Sequence, residues 1–237
     1  MKHGQLTEPV AAARGLARHH FPDALTVFVG GSVLTERRTA MSDLDMVVVT
    51  EPRECPYRHS LDWEGWPAEV LVHDERSLAA YCADNLARRW PGIPRLIAEG
   101  AIVSDRAGLG ERLQTDLRRR LAAGPTPAGR AELDAHRYEL TDQLDDLAGA
   151  EDPAEIAFIA SRVLTKTAQL ALLCGRHWQG TGKWLLRELR DHDADLADRL
   201  AGSLSEPARL AGLARHVLDS AGGPLRAGYR VTDPRDP

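Results

Sequence analysis

The chain has 237 residues, 43% of them hydrophobic, enough for one large domain or two small ones with packed cores. Its net charge of −5 and pI near 6.0 argue against a general nucleic-acid binder, which carries a basic balance. The three cysteines, Cys55, Cys82 and Cys174, are scattered without metal-ligand spacing, which fits reduced thiols in a cytoplasmic protein.

No signal-peptide core, internal repeat or apolar run of membrane-spanning length stands out. Thr7-Glu8-Pro9 reads as a helix start, with Thr7 as N-cap and Pro9 in the first turn. The helix is expected to run to about Arg18, with His19 and His20 solvated behind it. Residues 25–29 and 46–49 are short, β-branched apolar runs and read as buried strands. The first ends in Gly30-Gly31-Ser32 and the second begins after Asp43 and Asp45, ten residues on.

Residues two apart on a strand share a face, so Asp43 and Asp45 aim two carboxylates the same way. At about 4–5 Å such charges repel by roughly 4 kcal/mol at an effective dielectric near 20. One carboxylate takes a proton, or a cation sits between them. Mg²⁺ suits the site, because it binds one or two carboxylates and shares its other positions with waters and phosphates. Gly30 and Gly31 let the main chain approach a ligand. A short helix from Ser32 would offer N–H groups and a hydroxyl to phosphate. Arg37 and Arg38 follow within reach of a triphosphate.

Arg58 to Trp63 and Trp66 to His73 flank Glu64-Gly65 and read as a hairpin. In its second arm Ala68, Val70 and Val72 face one side, and Glu69, Leu71 and His73 the other. A glutamate inside so apolar a strand is costly unless it is paired or bound. His73 reads as a structural residue at the strand end. Helices are expected over residues 77–90 and 108–121, with a short one from Arg95 and an edge strand at 101–103. The Ala123-Gly124-Pro125-Thr126-Pro127-Ala128-Gly129 stretch is the clearest boundary.

Beyond it, helices at 131–148, 153–174, 183–191, 193–204 and 207–220 carry stripes that suggest an antiparallel bundle. The division is therefore 1–122, 130–221 and a loosely ordered tail at 222–237. Asp142, Asp145 and Asp146 cluster on the first helix of the bundle, as an acidic wall for a cationic molecule or as a solvated face. Gly180-Thr181-Gly182-Lys183 lacks the spacing and strand of a Walker A loop, though Lys183 is a candidate phosphate contact. Arg130 and His136 match the arginine–histidine spacing of some helical RNases, which reads as chance.

Gly30-Gly31-Ser32, a ten-residue gap and Asp43-Leu44-Asp45, with Ser42 just before Asp43, resemble the signature of the DNA polymerase β-like nucleotidyltransferase superfamily. The match spans about a tenth of the chain. The resemblance implies an α+β fold: a small mixed sheet with helices, followed by an all-α bundle that closes the acceptor site. It implies that Asp43 and Asp45 hold Mg²⁺, two ions in all. Glu69 is the third acid, as a further metal ligand or a base, and Trp-Pro-Ala-Glu-Val around it is similar to aminoglycoside-modifying relatives. It implies a nucleoside triphosphate, with ATP expected first, and a hydroxyl on a small molecule such as an antibiotic. Two other readings are an antitoxin-like enzyme that adenylylates a partner protein and a non-catalytic nucleotide sensor. Neither a membrane nor RNA is an expected partner.

Overall fold

The computed structural model describes residues 8–52 and 55–231. The chain divides into two compact units, Met1–Ala123 and Gly124–Pro237. The first is α+β and the second helical, the class that the sequence implies.

The first unit opens with helix α1 (Pro9–His20). Thr7 lies outside the described residues, and the cap is Glu8, whose carboxylate accepts from the Val10 and Ala11 N–H groups. The strands are β1 (Thr26–Gly30), β2 (Leu44–Val49), β3 (Tyr57–Trp63), β4 (Trp66–His73) and β5 (Ala101–Asp105). They form one sheet in the order β3-β4-β2-β1-β5, parallel only between β2 and β4. The β3–β4 turn is Glu64-Gly65, both at positive φ (50° and 86°), the two-residue geometry that matches strand twist.

Both faces of the sheet are covered, which explains the unbroken apolar runs of β1 and β2. On one face Val27, Val29, Met46, Val48, Val70 and Val72 pack with Ala13, Leu16 and Ala17 of α1. On the other, Phe28, Val47 and Val49 meet helices α2 (Glu75–Ala87), α3 (Gly92–Glu99) and α4 (Leu109–Ala122). Helix α2 starts earlier than its apolar stripe predicts, because Asp74 and Ser77 cap each other's backbone in a capping box. His19 and His20 are not simply solvated: both rings lie against Trp63, at 5.3 and 5.6 Å between centroids. No disulfide joins the cysteines, and burial pushes the Cys82 thiol up to about 11.

The second unit contains α5 (Arg130–Gly149), α6 (Pro153–Cys174), α7 (Lys183–His192), α8 (Ala194–Ala201) and α9 (Pro207–Ser220). Leu140, Leu144, Val163, Leu170, Leu189, Leu200, Leu210 and Leu218 lie in its core. Contrary to the sequence reading, α6 is long and apolar enough to cross a membrane, with a mean hydropathy of 1.4 over its best window. Its buried stripe, Val163, Thr167, Leu170 and Leu172 among it, packs into this core.

The segment from Gly222 does not read as held in the sequence, yet it makes specific contacts with α5. Buried Arg137 donates to the carbonyls of Gly222 and Gly223 at 2.7 and 2.9 Å. The Leu225 N–H donates to Thr141 Oγ1 at 3.1 Å, and Tyr229 stacks on Tyr138 at 4.2 Å. Residues 232–237 of the expected tail lie outside the described residues.

Candidate active site

Strand register assembles the candidate residues. Gly30 of β1 lies opposite Asp45 of β2, Asp45 beside Glu69 of β4, and Glu69 opposite Ser60 of β3. The four form a single row across four neighbouring strands. Partners in register share a face, and neighbouring strands are about 4.8 Å apart. The row is on the face of Val47 and Leu71, away from α1. Asp43 lies just before β2, on the same face by alternation, and all three acids are half-buried.

The two glycines are needed for different reasons. A Cβ on Gly30 would press to 2.8 Å from Leu96 Cγ of α3. At Gly31, with φ +83°, a Cβ would run into the Asp45 carboxylate. The main chain thus passes directly beside that acid. The helix expected from Ser32 is a single 3₁₀ turn, Ser32–Leu34, too short to bring much of a dipole. Hydroxyls organise the loop instead. Ser32 Oγ and Ser42 Oγ are 3.1 Å apart, and Ser42 Oγ accepts from the Thr39 N–H at 3.0 Å. Ser42 therefore clasps the glycine turn to the segment that carries Asp43 and leads into β2.

Glu69 resolves its cost in the strand through Arg58, whose Nη1 is 3.1 Å from Glu69 Oε1. Among the described residues no group of three His, Cys, Asp or Glu side chains is gathered to hold a metal ion. The three acids share a face without converging into a ready-made cage, and one of them is paired with a guanidinium. The donor set still suits a hard divalent cation, which takes carboxylate oxygens as ligands: Asp45 and Glu69 are in register, and Asp43 lies just ahead on the same face.

Arg37 is exposed, and its backbone N–H donates to Thr35 Oγ1 at 3.2 Å. Arg38 instead lies over the Trp66 ring at 4.7 Å. Lys183 opens α7 in the second unit, exposed, and belongs to no part of the row. The acidic stretch of α5 has an internal partner: Arg226 bridges Asp142 at 3.1 Å and Asp145 at 3.0 Å. His73 is buried, 3.3 Å from Ser77 Oγ, and burial lowers its pKa despite Asp74.

Sequence reasoning missed Arg58 and Ser60. The signal was present. The two-residue turn fixes Trp63 opposite Trp66, and counting outward puts Ser60 against Glu69 with Arg58 two register pairs further on, on the same face. Elsewhere, a cavity of about 760 Å³ opens beside His20, Asp23, Thr50, Glu51 and Tyr57, at the opposite ends of β1 and β2 from the acids.

One likeness among solved structures covers most of the chain. It is to the crystal structure of a nucleotidyltransferase-like protein from Exiguobacterium sibiricum 255-15, at a TM-score of 0.47 and 13% identity. The match covers 89% of this chain and 74% of that one. No protein-family model matches the chain, and no curated protein does.

Proposed function

We propose that this chain is a nucleotidyltransferase of the polymerase β-like superfamily. It moves a nucleoside monophosphate, AMP by first expectation, from a triphosphate to a hydroxyl of a small molecule and releases pyrophosphate. The observation that carries this reading is the row of Gly30, Asp45 and Glu69 in strand register, with Asp43 ahead of it and main chain at the Asp45 carboxylate.

Asp43, Asp45 and, once freed from Arg58, Glu69 would hold Mg²⁺. When bound, the metal neutralises charge that develops on the reacting phosphate and on leaving pyrophosphate. The rest falls to the protein. Gly31 brings backbone to the outer phosphates, and Ser32 adds a hydroxyl whose position Ser42 fixes. An acceptor oxygen forms the new bond to the α-phosphorus as the bond to pyrophosphate breaks. Glu69 is the group on this face suited to take the acceptor's proton, given hydrogen-bond reach. Arg226 already bridges Asp142 and Asp145, two of the three clustered acids of α5, which lessens the support they lend to a polycationic acceptor.

The test uses labelled triphosphates, Mg²⁺ and a panel of hydroxyl acceptors that includes aminoglycosides and lincosamides. Acceptor-dependent pyrophosphate release is expected, falling to background in Asp45→Asn with an unchanged circular dichroism spectrum. Unchanged turnover in that variant removes Asp45 from the reaction. A covalent AMP adduct on a partner protein, without small-molecule product, would favour protein adenylylation.

A further inference from the structure

We propose that Arg58 is a phosphate-binding residue held in reserve by Glu69: a divalent cation that takes the Glu69 carboxylate releases the guanidinium to the polyphosphate that arrives with it. This rests on the nucleotidyltransferase reading.

Placement comes first. Arg58 pairs in register with Leu71, two residues beyond Glu69 on β4, so its side chain shares the face of Asp45 and Glu69. Strand β3 is the edge of the sheet, and the Arg58 side chain is 59% exposed. It is therefore free to swing along the face rather than packed in place. The contact with Glu69 is an ion pair from Nη1 to Oε1, and pairs this exposed are weak.

Charge comes next. A doubly charged cation outcompetes a single guanidinium for a carboxylate. A triphosphate then brings several negative charges to the same face, and guanidinium matches phosphate oxygens with paired N–H donors. One cation leaves Glu69 and gains phosphate, while another takes its place. The acid is thus neutralised before nucleotide arrives, without a permanent cation blocking the site.

Two binding measurements of opposite sign test this. Mn²⁺ alone is titrated by electron paramagnetic resonance. Inorganic tripolyphosphate is titrated by calorimetry with Mn²⁺ saturating. In Arg58→Gln, and in Arg58→Ser as a second removal variant, Mn²⁺ is expected to bind about two- to five-fold more tightly because a competing charge is gone. Tripolyphosphate is expected to bind about tenfold more weakly. Arg58→Lys keeps the charge, so its Mn²⁺ affinity should match wild type and its tripolyphosphate affinity should fall between. A purely structural arginine would shift neither or weaken both. Either result, with Glu69→Gln still weakening Mn²⁺, overturns the role of Arg58 and leaves the enzyme reading standing. If Glu69→Gln and Asp45→Asn also leave both affinities unchanged, the enzyme reading falls and this proposal with it.

Discussion

At position 31 the backbone sits at φ +83° and ψ −170°, a region essentially confined to glycine. Gly31→Ala adds strain worth about 1–3 kcal/mol and drives a methyl into the Asp45 carboxylate. A lower urea midpoint is expected, together with loss of tripolyphosphate binding. Normal binding in a folded Gly31→Ala variant would remove the backbone approach from the site. The need for glycine was legible in the sequence, and so were the acids around it. Glu69 was legible too, as an ionisable residue in an apolar strand. The cation that neutralises it was not, because Arg58 looks like any charged residue until the hairpin register is counted. Ser42 was noted only as part of a motif, yet its two hydrogen bonds show what the loop requires of it.

At the scale of elements, local signals served well where the structure is local. The 3.6-residue stripes of α6 and α9 and the period of two in β4 give each element's type and its buried side. The C-terminal segment failed by the same logic. Its partners are on α5, more than 80 residues away, and no periodicity reports a contact of that kind. The polar groups there are not equal. Arg137 is 8% exposed and its donors reach two carbonyls, whereas Arg226 is exposed and bridges two exposed acids. Arg137→Ala should therefore cost about 2–3 kcal/mol. Arg226→Ala should cost under about 1 kcal/mol. Chemical denaturation of the two variants checks the order, and a reversed order would mean that the surface bridge, not the buried clamp, fastens the segment.

The whole molecule holds two units with separate cores, and each carries a histidine that resists protonation, buried His73 in the first and surface-exposed His192 in the second. Burial lowers the pKa of His73 in the first unit, against the pull of Asp74. Partial desolvation and then His177 lower that of exposed His192 in the second, against Asp193. The ordinary histidine value is 6.5, so below it the unfolded chain takes up protons that the folded chain refuses. These groups therefore favour the folded state above about pH 6.5, and their contribution is lost as pH falls toward their lowered values. Melting temperature should drop between about pH 7.5 and 5.5, and a rise over that interval would contradict the assignment. The Arg38 stack has a consequence of a different kind. Trp66, 2% exposed beneath that guanidinium, packs on the α1 face of β4, opposite to the face of Glu69. Its emission is sensitive to the cation above it, so any ligand that draws Arg38 aside is announced by fluorescence. With the other tryptophans replaced by phenylalanine, the protein becomes its own optical reporter of any movement of Arg38, and no dye or coupled assay is needed.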